Sequence, residues 1–206
     1  MSEYDHEPIR GLPGHLPEGE EILWQGAPEW RTFARTAFHT RLIGVYFLLL
    51  VALAVASGSI GGAIATGIAG LFGIGLLMLF SWAVARTTVY TLTNRRVVLR
   101  IGVALNKCIN LPLKQIGAAD LNLRGNGHGD IALMLTGPHR IGYAMLWPHA
   151  RPWKFSRVQP MLRAVPDAEA VAAKLARATA SVVDIDRSLV SNPSPAQSVG
   201  MKEAVA

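Results

Sequence analysis

From Trp147 to Arg157 the chain reads Trp-Pro-His-Ala-Arg-Pro-Trp-Lys-Phe-Ser-Arg, setting two tryptophans and a phenylalanine among four side chains that are or can become cationic. Amphipathic rings beside cations suit two tasks: contact with anionic lipid headgroups, and the centre of a protein interface. Trp147, His149, Arg151, Trp153, Lys154 and Arg157 are therefore the candidate interface residues. The plainer alternative is that the indole rings close one end of a β-structure and the charges are merely solvated. Pro148 and Pro152 keep the stretch out of regular sheet in either case.

The other reactive residue types do not form a constellation. His6, His15, His39, His128, His139 and His149 show neither HxxxH nor HExxH spacing, so no metal site is expected. Asn126-Gly127-His128-Gly129-Asp130 lacks the Gly-Lys-Ser/Thr ending of a phosphate loop, and a hairpin turn accounts for it. There is no Gly-x-Ser-x-Gly elbow, and Asp120 and Asp130 are the only carboxylates between positions 86 and 165. Cys108, the one cysteine, excludes a disulfide framework and reads as a small core residue within a strand pattern. No catalytic, cofactor-binding or metal-binding residue is expected, and the chain reads as a binding protein rather than an enzyme.

The elements that must position these residues begin with an unusual run. The 206 residues are 50% hydrophobic and only 17% charged, below the quarter of charged residues usual in soluble proteins. From Leu42 to Ala85 there is no Asp, Glu, Lys, Arg or His. One membrane pass takes about 20 apolar residues, so this run predicts two helices, at 38–56 and 62–85, parted by Ser57-Gly58-Ser59. A cleaved signal peptide is not expected, because the opening residues are acidic and the apolar run starts late. Arg31, Arg35 and Arg41 precede the hairpin and Arg86, Arg95, Arg96 and Arg100 follow it, which places both termini in the cytoplasm by the positive-inside rule. Trp30, Phe33 and Phe38 on one side, with Trp82 and Tyr90 on the other, would form a belt at the headgroups. Gly62, Thr66, Ala69, Gly70 and Gly73, with Ala65, make a strip of small residues that another helix could approach closely. That helix is either the other half of the hairpin or one from a second copy or a partner.

Charge divides the remainder. Residues 1–41 carry seven acidic and four basic side chains, residues 86–165 two acidic and twelve basic, and residues 166–206 five acidic and four basic. A basic block held at a membrane favours anionic lipid or an acidic membrane partner over nucleic acid. The same block reads as β: strands are expected at 87–93, 96–102, 106–111, 116–123, 130–135 and 140–146. After Pro166 an Ala-rich stretch with acids first and bases last predicts a helix over 166–180. The Ser/Pro/Ala-rich remainder, 181–206, reads as disordered. Strands followed by one helix are the order of a pleckstrin-homology (PH)-like barrel.

The expected fold class is thus an α+β membrane protein: a two-helix transmembrane hairpin bearing a cytoplasmic, PH-like antiparallel barrel or sandwich with a C-terminal helix. Residues 1–37 form an acidic arm with a short strand near 21–26, residues 38–85 the membrane helices, residues 86–180 the basic domain and residues 181–206 the tail. The acidic arm could pair with the basic face of this domain or with that of a partner.

The residues also carry a resemblance. Thr93, Arg96, Gly102 and the run Leu111-Pro112-Leu113-Lys114-Gln115-Ile116, within YTLTNRRVVLRIGVALNKCINLPLKQIGAADL, are similar to the signature of bacterial PH-like membrane proteins. The opening EYDHEPIRGLPGHLPEGEEILWQG, the hairpin and MLWPHARPWKFSRVQPMLRAVPDAEAVA resemble the PuhB-type photosynthetic complex assembly proteins of purple bacteria. That resemblance implies an assembly factor in the bacterial inner or intracytoplasmic photosynthetic membrane. Its partners would be reaction-centre or core light-harvesting subunits; the basic block adds anionic lipid headgroups rather than nucleic acid, and the strip of small residues a possible homodimer. It leaves His39 either an axial ligand to bacteriochlorophyll or, more plainly, a histidine at headgroup level. The alternative is a PH-like membrane protein that binds anionic lipid or another membrane protein and has no tie to photosynthesis.

Overall fold

The structure is a computed structural model that describes residues 11–12, 14–125, 127–137 and 141–191. His6 and His139 lie outside the described residues, as does the tail from 192.

Strand β1 (Ile22–Gly26) is followed by helix α1 (Trp30–Ala37), which carries Trp30 and Phe33 of the expected aromatic belt. The Glu29 carboxylate caps α1, accepting from the backbone N–H groups of Arg31 (2.9 Å) and Thr32 (2.6 Å). Trp30, Phe33, Ala34 and Ala37 recur at helical spacing, and Phe33 and Ala34 are buried. Phe33 therefore belongs to a core and not to a membrane belt.

Helix α2 (Thr40–Ala56) bends away from α1 by 61°, at His39, which adopts a left-handed φ of 52°. Helix α3 (Ile60–Thr87) returns alongside it. α3 is long and apolar enough to cross a membrane; a second span results if the bent α1–α2 pair is taken as one. Two passes were expected; α2 alone, with 17 residues at a rise of about 1.5 Å each, lies at the lower limit for a roughly 30 Å hydrocarbon core. The strip of small residues divides between two faces. Gly70 meets α2 so closely that a Cβ there would sit 2.7 Å from the Phe47 ring, whereas Gly73 faces open space and Ala69 is exposed. Gly62 packs against Ser59, and Thr66 is partly buried.

Beyond the helices come β2 (Val89–Thr93), β3 (Arg96–Ile101) and β4 (Lys107–Pro112), which with β1 form an antiparallel sheet ordered β1-β2-β3-β4. β1 precedes the helix pair and β2 follows it, yet Gly26 pairs directly with Tyr90. The helix pair is thus an insertion between two neighbouring strands. A 3₁₀ turn (Leu113–Gln115) leads to a second antiparallel sheet of β5 (Ile116–Gly125), β6 (His128–Leu135) and β7 (Met161–Val165). Helix α4 (Tyr143–Leu146) stands where a strand at 140–146 was expected, and β7 was not foreseen. Helix α5 (Ala168–Ser191) runs past the expected end at 180, so 181–191 is helical. The two sheets do not close into one barrel. They face each other across a core of Tyr90, Leu92, Leu99, Leu111, Leu113, Ile131, Leu133 and Leu162, sealed by Ala168, Val171, Leu175 and Ala178 of α5.

The signature residues have structural tasks. The Thr93 hydroxyl accepts from the backbone N–H of Arg95 (3.2 Å) and Arg96 (3.0 Å), closing the β2–β3 turn, and donates to Glu20 Oε1 at 2.8 Å. Arg96 grips the same carboxylate with Nε at 2.8 Å and Nη2 at 2.9 Å. Burial raises the Glu20 pKa, but the Arg96 and Thr93 hydrogen bonds and the Arg96 charge outweigh it, so the net shift is downward. At Gly102 (φ 123°) a Cβ would collide with the Leu105 carbonyl. Among the described acids of the arm, Glu20 thus pairs with the protein's own basic domain. Tyr90, read above as a belt residue, is fully buried in that domain, and Cys108 is exposed on β4 rather than in the core.

Candidate functional site: the junction of helices and sheets

The segment from 147 to 157 folds over the outer face of β5-β6-β7, with only an isolated bridge between Ala150 and Pro160. Alternation along β6 explains that face. Ile131 and Leu133 enter the core, so Asp130 and Ala132 point the other way, as do Met161 and Arg163 of β7.

The structure separates the six candidate interface residues. Trp147, half exposed, stacks on Phe80 of α3 (6.0 Å, 21°) and leans on Phe38 (6.1 Å), pinning the domain to the helix pair. Trp153 (85% exposed), Lys154, Phe155 (61%) and Arg157 form a loop open to the surroundings, with Trp153 and Phe155 edge to face. Arg151 is held by Asp120 Oδ2 (2.9 Å) and Gln159 Oε1 (3.2 Å) and is only partly exposed.

His149 is buried (1% exposed) and is therefore not part of an exposed interface. Its Nδ1 lies 2.7 Å from the Tyr90 hydroxyl and its Nε2 3.3 Å from Thr88 Oγ1, while its ring packs on Phe33 at 5.4 Å. The Tyr90 hydroxyl accepts from the Arg163 backbone N–H (3.2 Å), and burial raises its pKa, so it keeps its proton and donates it to His149 Nδ1. The imidazole then carries its proton on Nε2, facing Thr88. Burial, with the nearby Arg163 charge, pushes His149 down to about 3, so the ring is neutral. No sequence pattern announces this network; its partners lie about sixty positions from His149 along the chain.

Arg163, 7% exposed, is a second buried polar residue that sequence reasoning missed. Its Nη2 donates to the Ala150 carbonyl at 3.2 Å, and its Nε has no hydrogen-bond partner among the described residues. A buried donor left so costs about 1–3 kcal/mol. Burial lowers the Arg163 pKa and the Asp130 charge opposes that shift. Asp130 accepts from Arg124 Nε and Nη2 (both 2.9 Å) and from the Ala164 N–H (2.9 Å). These residues wall a cavity of about 350 Å³ whose far side is Thr36, Ala37 and His39 at the α1–α2 bend. His39 is exposed there. Among the described residues no three His, Cys, Asp or Glu side chains come together.

A two-sheet domain closed by a C-terminal helix, with the PH-like signature in its turns, defines the class, and a family model agrees. Residues 41–179 match the bacterial PH domain, and the chain belongs to that family. It is also 40% identical, over 186 residues covering 85% of this chain and 87% of the other, to an uncharacterised 23.7 kDa protein in the puhA 5′ region of Rhodobacter capsulatus. No solved structure matches the chain significantly.

Proposed function

We propose that this protein is a membrane-anchored assembly factor that binds partly built reaction-centre and core light-harvesting complexes and acts as a scaffold, not by catalysis. The observation that carries the reading is the 40% identical relative in the puhA 5′ region. The prefix of that gene name is the one carried by the PuhB-type proteins that the sequence resembles.

Membrane anchoring is supported by the outer surfaces of α2 and α3, where Leu42, Leu48, Leu49, Ile64, Ile68, Leu71 and Phe72 are exposed with no charge among them. Both ends of the helix pair join adjacent strands of one sheet, which favours two passes with both ends on one face. The arginines flanking the pair favour the cytoplasmic face of a bacterial inner or intracytoplasmic membrane. The exposed rings and cations of the loop Trp153–Arg157 suit a partner subunit or lipid headgroups.

The test is affinity purification of the tagged full chain from gently solubilised membranes of its host, reading polypeptides and near-infrared absorption together. Reaction-centre or antenna polypeptides with their pigment bands are expected, and a Trp153→Ala/Lys154→Ala/Phe155→Ala/Arg157→Ala variant should insert normally but retain less of them. A colourless eluate holding only this protein and anionic lipid would refute the photosynthetic role and favour the lipid-binding alternative.

A further inference from the structure

We propose that the cavity between the outer face of β5-β6-β7 and the α1–α2 bend binds a phosphate group, presented by the headgroup of an anionic phospholipid. Its volume, about 350 Å³, falls within the roughly 300–1,000 Å³ of small-ligand sites. Three arginines and two aspartates line it. Arg124 pairs with Asp130 and Arg151 with Asp120, so with Arg163 the wall carries one positive charge in excess. Arg163 is also the residue with the orphaned Nε–H. One surplus positive charge, on a guanidinium that still has an unmet donor, calls for a singly charged oxyanion such as a phosphodiester.

Position selects the lipid source. The far wall is the start of α2, and one turn beyond His39 the exposed apolar surface begins with Leu42, Val45 and Tyr46. A phosphate beside Arg163 would place its acyl chains along that surface, with the half-exposed Trp147 indole at the same level. The assignment to lipid rests on the membrane-anchored reading above; the phosphate site rests on the cavity itself.

The experiment follows thermal unfolding of the delipidated full chain in detergent as phosphatidylglycerol, phosphatidylcholine or inorganic phosphate is added at constant ionic strength. Phosphatidylglycerol should raise the unfolding temperature saturably, and phosphatidylcholine should not. Arg163→Met should move the phosphatidylglycerol midpoint by about tenfold, as the loss of a charge-assisted contact requires. Should that variant not fold, Arg151→Gln, at the partly exposed rim, carries the test with a shift of about threefold. Competition by inorganic phosphate supports the shared phosphate chemistry, and stabilisation by inorganic phosphate but not by the lipid overturns the lipid assignment. Equal midpoints in wild type and variants, or equal responses to both lipids, overturn the site. Carbonate extraction of membranes scores anchoring separately, so a protein that stays inserted but ignores phosphatidylglycerol refutes the site alone.

Discussion

His149→Gln isolates the buried imidazole. Glutamine can still accept the Tyr90 hydroxyl proton through its amide oxygen, but it does not titrate. In the folded protein burial holds His149 down to about 3, whereas in the unfolded chain it titrates at about 6.5. As pH falls below 6.5 the unfolded chain takes up a proton that the folded one refuses. The stability His149 contributes is therefore complete above pH 6.5 and is lost progressively down to about 3. At pH 5 the loss is about 2 kcal/mol, from 1.36 kcal/mol for each of the 1.5 pH units below 6.5. For a chain of this size that is about 4–8 °C in Tm. At pH 7 the variant should be the weaker protein by about 1–2 kcal/mol, because it loses the ring contacts with Phe33 and Tyr90. On going to pH 5, however, wild type should lose that much more Tm than the variant. Glu20 and Glu29, whose pKa values are also lowered, act only below about pH 4.3 and do not contaminate the window. Thermal melts of both proteins in one detergent at pH 7, 6 and 5 read the difference. Parallel pH profiles would refute the buried neutral imidazole.

Glu20→Gln should cost about 2 kcal/mol by breaking the two-point grip of Arg96, and chemical denaturation at pH 7 should show it. Because the Glu20 pKa is lowered in the fold, that gap should close as pH falls below about 4.3. Gly70→Val should destabilise the α2–α3 pair by about 1–3 kcal/mol through collision with Phe47, while Gly73→Ala, into open space, should change stability by less than about 1 kcal/mol; melts in detergent compare them. Glu29→Ala should cost about 1 kcal/mol by uncapping α1, read as earlier unfolding in the same assay.

Local pattern made much of this legible. A run without charge marked α2 and α3, β-branched stretches between turns marked β2 to β6, and Pro148 and Pro152 kept 147–157 out of the sheets. What local pattern misled was the role of single aromatics. Phe33 and Tyr90 flank the apolar run and look like belt residues, but Phe33 sits on the inner face of an amphipathic helix that the structure shows capped by Glu29. β7 escaped because it has five residues with an arginine at its centre, and only the tertiary fold gives that arginine a buried site. Composition cut α5 short at Ser181, although Val182 still packs on the core. His149 was legible as an unusual residue but not as an interior one, since nothing near it in sequence supplies its partners.

The insertion of the helix pair between β1 and β2 has a consequence for biogenesis. The ribosome releases β1 first, and its neighbour β2 does not exist until both apolar helices have been made. In a membrane-inserted chain the four-stranded sheet can knit only if the second helix has returned the polypeptide to the side where β1 waits. A chain that stalls after one crossing strands β1 across the bilayer from β2, leaving an open sheet edge and an incomplete core. On the two-pass reading proposed above, topogenesis and domain folding are locked together, and a mis-threaded molecule would present itself to quality-control proteases as an unfolded one.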